Sequence, residues 1–139
     1  MRALADYEAV IIVAHSQGSA ITADLLRFLK YEEIPLPAKV FLFTMGCPLR
    51  QLYSERFPQL YDWAGRPEPA ELRVQRWVNA YRTGDYVGRA LWEPAPPAMA
   101  EDVCIGGGAH THYWDGTSDE IGARLDALVV EASRTASPR

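Results

Sequence analysis

Cysteine is scarce: the chain of 139 residues holds two, Cys47 and Cys104. They stand far apart and form no CxxC pair, so neither a dithiol redox motif nor a disulfide-stapled scaffold is indicated. An excess of one charge is also missing. Eighteen acidic and 14 basic residues leave a formal charge of -4, and no Arg/Lys block stands out. A nucleic-acid backbone is therefore a poor partner. The longest apolar run falls far short of a bilayer span. "MRALADYEAV" carries acidic residues where a secretory signal would have its apolar centre. No internal repeat is visible. "IGGGAH" lacks the spacing and the following Lys-Ser/Thr of a phosphate-cradling loop. These absences point to a chain without cofactor or transmembrane segment, in a reducing, cytoplasmic setting.

What remains is ordinary globular composition, with 48% hydrophobic and 23% charged residues. The length suits a single domain over 1–139. Residues 10–15 form a short β-branched run that reads as a buried parallel strand. From Gln17 to Tyr31 the period changes to helical, with Ile21, Leu25, Leu26, Phe28 and Leu29 as an apolar stripe. "KVFLFTMG", residues 39–46, predicts a second strand. Residues 47–71 form an aromatic- and proline-containing excursion with one or two short helical turns. Residues 72–81 predict a third strand and 103–108 a fourth. Ile121, Leu125, Leu128 and Val129 mark a last helix, before a frayed tail, "RTASPR". Strands alternating with helices argue a parallel α/β sheet with right-handed crossovers.

In open sheets of this kind, ligands bind beyond the carboxyl ends of the strands. His15 and Ser16 follow the first strand, Gly46 and Cys47 the second, Asp85 the third and His110 the fourth. Serine is a weak nucleophile unless a base takes its proton and a third group holds that base. "AHSQG" places Ser16 between strand and helix, with Ala14 and Gly18 leaving room for a tight turn. The Gln17 N–H then faces the same space and can donate to an oxyanion. His110 fits the base and Asp85 the group that orients it, in the order Ser, Asp, His. The alternative for Ser16 is a plain helix cap. His112, two residues from His110, shares its side on an extended segment, so spacing does not choose between them. His110, His112 and Asp115 also admit a metal site, but only His15 offers a further ligand, short of the usual four. His15 reads as a supporting residue beneath the turn.

These segments resemble a known superfamily. "VAHSQG" resembles the nucleophile elbow of α/β-hydrolases, with Ala14 where the first glycine usually stands. "FLFTMGCPLRQLYSERFP" is similar to a segment of its lipase-like members. "WVNAYRTGDYVG" looks like their acid-bearing loop, and "GGGAHTHYW" like their H-x-x-Y-W segment. The resemblance spans about residues 8 to 130. It implies Ser16, Asp85 and His110 as a triad, with His110 and not His112 as base, and hydrolysis of small-molecule or lipid esters through an acyl-enzyme. It also implies a partial α/β-hydrolase fold, a short mostly parallel sheet without the usual N-terminal strands. Residues 10–15 would then form an apolar edge, covered by a second copy or by a missing front half. Residues 47–71 would be a cap or substrate wall, or pack the core. A second function class follows from the same feature: a truncated, catalytically weak module for binding or assembly. Transfer of the acyl group to an alcohol uses the same triad and is a third reading.

Overall fold

A computed structural model describes residues 7–36, 38–115 and 119–136. Four strands form one sheet: β1 (Ala9–His15), β2 (Lys39–Met45), β3 (Val74–Tyr81) and β4 (Ala100–Cys104). Neighbours pair in chain order, β1-β2-β3-β4, and every pairing is parallel. Helix α1 (Gln17–Tyr31) joins β1 to β2, and α3 (Asp119–Ala136) follows the sheet. Among the described residues no helix is long and apolar enough to cross a membrane.

The near-continuous apolar reading of β2 has a simple cause: both faces of this central strand are covered. Successive side chains point to opposite faces. Val40 and Leu42 join one core with Ala20, Ala23 and Leu26 of α1 and with Trp77. Phe41, Phe43 and Met45 join the other with Ile121, Leu128 and Ala132 of α3. Each buried side chain of this size contributes roughly 1.5–3 kcal/mol by leaving water.

The strand over residues 10–15 is not buried as expected: of it only Ala14 is buried and Val13 is 44% exposed, because β1 stands at the edge of the sheet and pairs with β2 alone among the described residues. Three further expectations need correction. The fourth strand lies at Ala100–Cys104, earlier than residues 103–108. Its acidic residues are satisfied in place: Glu101 meets Arg76 and Arg124, and Asp102 accepts from Asn79 and from the Leu91 and Trp92 amides. Asp102 thus lies within the strand, not before it. The glycines leave the ladder because Gly106 and Gly108 take positive φ, 89° and 128°. Second, the stripe on α1 divides. Leu26 and Leu29 are buried, whereas Ile21, Leu25 and Phe28 are 62%, 54% and 55% exposed. On α3, Val129 is likewise exposed, and Ala132 takes its place in the core. Third, Arg134 to Ala136 belong to α3 and not to a tail; residues 137–139 lie outside the described residues.

The excursion contains four short turns: a π-helical one at Leu49–Ser54, α2 (Pro58–Tyr61), and two 3-10 turns at Asp62–Gly65 and Pro69–Glu71. Leu49, Ala64 and Leu72 are buried, and Tyr53, Tyr61 and Trp63 pack against the same core. Leu52, Phe57 and Leu60 remain exposed. The Tyr61 hydroxyl donates to Asp24, and the Arg27 guanidinium lies 4.1 Å over the Trp63 ring. The segment is thereby moored to α1.

Candidate active site

β1 ends at His15 and α1 begins at Gln17, so one residue turns the chain. That residue is Ser16, at φ 54° and ψ -130°. A left-handed φ is uncommon outside glycine and marks local strain. The Ser16 N–H donates to the Met45 carbonyl at 2.9 Å, and its carbonyl accepts the Ser19 N–H at 2.9 Å. The turn is held from both sides. Capping does not account for the serine, because its side chain makes no cap bond. Its Oγ lies instead 2.6 Å from Nε2 of His110.

His110 Nδ1 lies 2.9 Å from Oδ2 of Asp85. An ionised carboxylate only accepts, so Nδ1 carries the proton and Nε2 is left to accept from Ser16. Asp85 is fully buried. Its Oδ1 accepts the Val87 N–H at 2.8 Å and the Gly88 N–H at 3.0 Å. Its Oδ2 also accepts the Tyr113 hydroxyl at 2.8 Å. Burial alone would raise its pKa. The bonds from Gly88, His110, Tyr113 and Val87 outweigh that and hold the carboxyl below its usual value.

The loop that carries His110 is stapled by one side chain. Arg82 donates to the carbonyls of Ile105 (3.3 Å), Gly107 (2.6 Å) and His112 (2.9 Å). His15 lies beneath: its Nε2 donates to the His110 carbonyl at 3.1 Å, and the two rings stack at 5.1 Å. Gly46, at φ 56°, borders the pair. A Cβ there would stand 3.0 Å from Asp85 Oδ2 and 3.0 Å from His110 Cε1. A Cβ at Gly88 would run into the Gly46 backbone. The approach of the three loops therefore requires both glycines. Gly18 differs, since a Cβ there would meet nothing within 4 Å. The room expected from Gly18 is not taken up by any neighbour.

Ser16, His110 and Asp85 thus lie in one hydrogen-bonded series, and Gln17 opens the helix beside it. First-turn N–H groups have no acceptor within their own helix, so the Gln17 amide is a donor of the right kind. His112 is not in the series. Its side chain is turned outward, with Nδ1 accepting the Ala109 N–H at 3.1 Å. Among the described residues no three His, Cys, Asp or Glu side chains cluster as metal ligands. Four contributors had no role in the sequence reading: Arg82, Tyr113, and Gly46 and Gly88 in their close approach. Tyr113 had a legible signal, since it stands three residues beyond His110. Arg82 had none, because its acceptors are backbone carbonyls.

No protein-family model matches the chain, and no curated protein matches it. Two solved structures do. One is a provisionally assigned hydrolase from Agrobacterium vitis S4, with TM-score 0.57 and 15% identity over 87% of this chain and 61% of that one. The other is human thioesterase 2, with TM-score 0.52 and 14% identity over 93% of this chain and 74% of that one. The chain thus spans less than two thirds of the first structure's length. At such identities the likeness speaks for the fold. Among the described residues that fold is a short parallel sheet flanked by helices, consistent with part of an α/β-hydrolase architecture.

Proposed function

We propose that this chain is a serine hydrolase that cleaves carboxylic esters. The observation that carries the reading is the unbroken series from Ser16 Oγ through His110 to Asp85. His110 Nε2 takes the Ser16 proton as Oγ attacks the ester carbonyl. The Gln17 N–H donates to the oxyanion of the tetrahedral intermediate. His110 then returns the proton to the leaving alcohol, and water releases the acid by the reverse roles. Asp85 keeps the imidazole in the required tautomer and stabilises its charged form. Cys47 stands beside the site but does not compete as nucleophile. Burial pushes its thiol up to about 12, so it stays protonated and inert.

The similar fold of human thioesterase 2 makes acyl thioesters a substrate class to assay beside oxygen esters. The exposed Leu52, Phe57 and Leu60 make the excursion at 47–71 a candidate wall for the acyl group. Both cysteines are free thiols, which suits a cytoplasmic setting. A second oxyanion donor is not among the residues of this series, and one such donor is worth roughly 3–4 kcal/mol of transition-state stabilisation.

One observation favours a second reading. Among the described residues β1 pairs only with β2, and apolar Ile21, Leu25 and Phe28 are exposed on α1. A catalytically weak module that assembles through this side has the same appearance. A fluorophosphonate adduct separates the two. The expected result is one adduct by intact mass on the wild type, absent in Ser16→Ala and His110→Ala and retained in His112→Ala. A folded wild-type chain that takes no adduct defeats the hydrolase reading and leaves the module.

A further inference from the structure

We propose that Tyr113 is a positioning residue of the site, its hydroxyl sharing the negative charge of Asp85 with His110. The inference rests on the triad reading above. Tyr113 is 1% exposed and cannot touch a substrate. It sits in a 3-10 turn, His112–Trp114, that follows His110. Its hydroxyl is committed at both ends. It donates to Asp85 Oδ2 at 2.8 Å and accepts the Arg82 N–H at 3.0 Å. The acceptor it chooses is the oxygen that faces His110 Nδ1. Two donors therefore draw on one oxygen, while the backbone amides of Val87 and Gly88 hold the other.

The consequence is electrostatic. A carboxylate that gives part of its charge to a phenol stabilises an imidazolium less. Tyr113 therefore competes with His110 for the same carboxylate oxygen, and an imidazolium formed on His110 meets a partly neutralised partner. Removing the hydroxyl leaves Asp85 in place, because its Oδ1 bonds are untouched, but frees Oδ2 for His110 alone. The other polar groups near His110 are accounted for. Ser16 bonds its Nε2, and His15 stacks on its ring and bonds its carbonyl. The Arg82 guanidinium lies 5.8 Å from the centre of the Tyr113 ring and bonds loop carbonyls. His112 is turned to Ala109. Removing the hydroxyl also takes the acceptor from the Arg82 N–H, a loss that Tyr113→Phe shares with Tyr113→Ala.

The test is Tyr113→Phe, read by two measurements on the full chain. The first is the pH profile of kcat/KM on a soluble ester. Its acid limb is expected to move upward, by about 0.5–1 pH unit, because hydrogen bonds to charged groups are among the stronger ones. KM at the plateau stays unchanged. The second is the titration of the His110 ring by NMR, which needs no turnover and is expected to move the same way. A variant whose acid limb and His110 titration superimpose on the wild type overturns the inference, as does a downward shift. If the wild type is inactive yet the His110 titration moves upward in the variant, the triad reading fails and the charge sharing stands. Tyr113→Ala, which also removes the ring, is the packing control. A shift in that variant alone identifies a structural role and overturns the proposal.

Discussion

At the scale of single residues, the site depends on atoms that are absent. Gly46 brings backbone to within contact of both Asp85 and His110, at a φ that a side chain disfavours. Gly46→Ala is expected to cost roughly 1–2 kcal/mol in backbone strain. Under the proposed function the larger effect falls on catalysis. Pushing His110 or Asp85 aside by a few tenths of an ångström is expected to lower kcat by about 10-fold, short of the roughly 100-fold that a 1 Å misplacement costs. Steady-state kinetics beside a thermal melt separates the two losses; a variant with wild-type kcat contradicts the close approach. Ser16, Asp85 and His110 were legible as types at strand ends, because nucleophilic chemistry asks for a small set of side chains in a fixed order. The need for glycine at position 46 was not. A glycine after a strand is a common turn residue, and only the fold shows what its missing Cβ would strike.

At the scale of elements, β4 is joined to β3 and to the loop after it by a buried polar network. Trp77 donates to Thr44, Thr44 to Asn79, and Asn79 to Asp102. Asp102 also receives the Leu91 and Trp92 amides. Burial raises its pKa despite these donors. Asp102→Ala leaves three donors without their acceptor and is expected to cost about 3 kcal/mol, read as a lower denaturant midpoint at unchanged slope. Glu101→Ala, which removes only partly exposed ion pairs, is expected to cost less than about 1 kcal/mol. Equal losses in the two variants would contradict the network. The same network explains why the fourth strand was misplaced in the sequence. Apolar character marks a buried strand only when its polar residues lack partners, and Asp102 has three. Strands β1 and β2 carry no such exception, and their apolar runs gave their positions to within a residue.

At the scale of the whole molecule, apolar surface is left exposed on α1 and at the sheet edge. Ile21, Leu25 and Phe28 project from α1 at helical spacing, and Val13 is exposed on the edge strand. The triple change Ile21→Gln, Leu25→Gln and Phe28→Gln is expected to shift stability by less than about 1 kcal/mol, since these side chains already meet solvent. It is also expected to reduce self-association in sedimentation at high concentration. Unfolding of the triple variant would show that the face is needed inside the lone chain. Periodicity alone could not divide the α1 stripe into buried and exposed halves, because a helix that is apolar over a wide arc looks the same whether one neighbour covers it or two.

The sheet adds its strands in the order in which the chain supplies them. During synthesis each strand can therefore dock on the one before it, with no strand waiting for a later insertion. The reacting groups do not share that convenience. Ser16 emerges early, while His110 comes 94 residues later. Until the loop that bears His110 has left the ribosome, the Ser16 hydroxyl lacks the ring nitrogen it meets in the folded chain. The nascent chain can thus pair its strands in turn before Ser16 and His110 come within hydrogen-bond distance of each other.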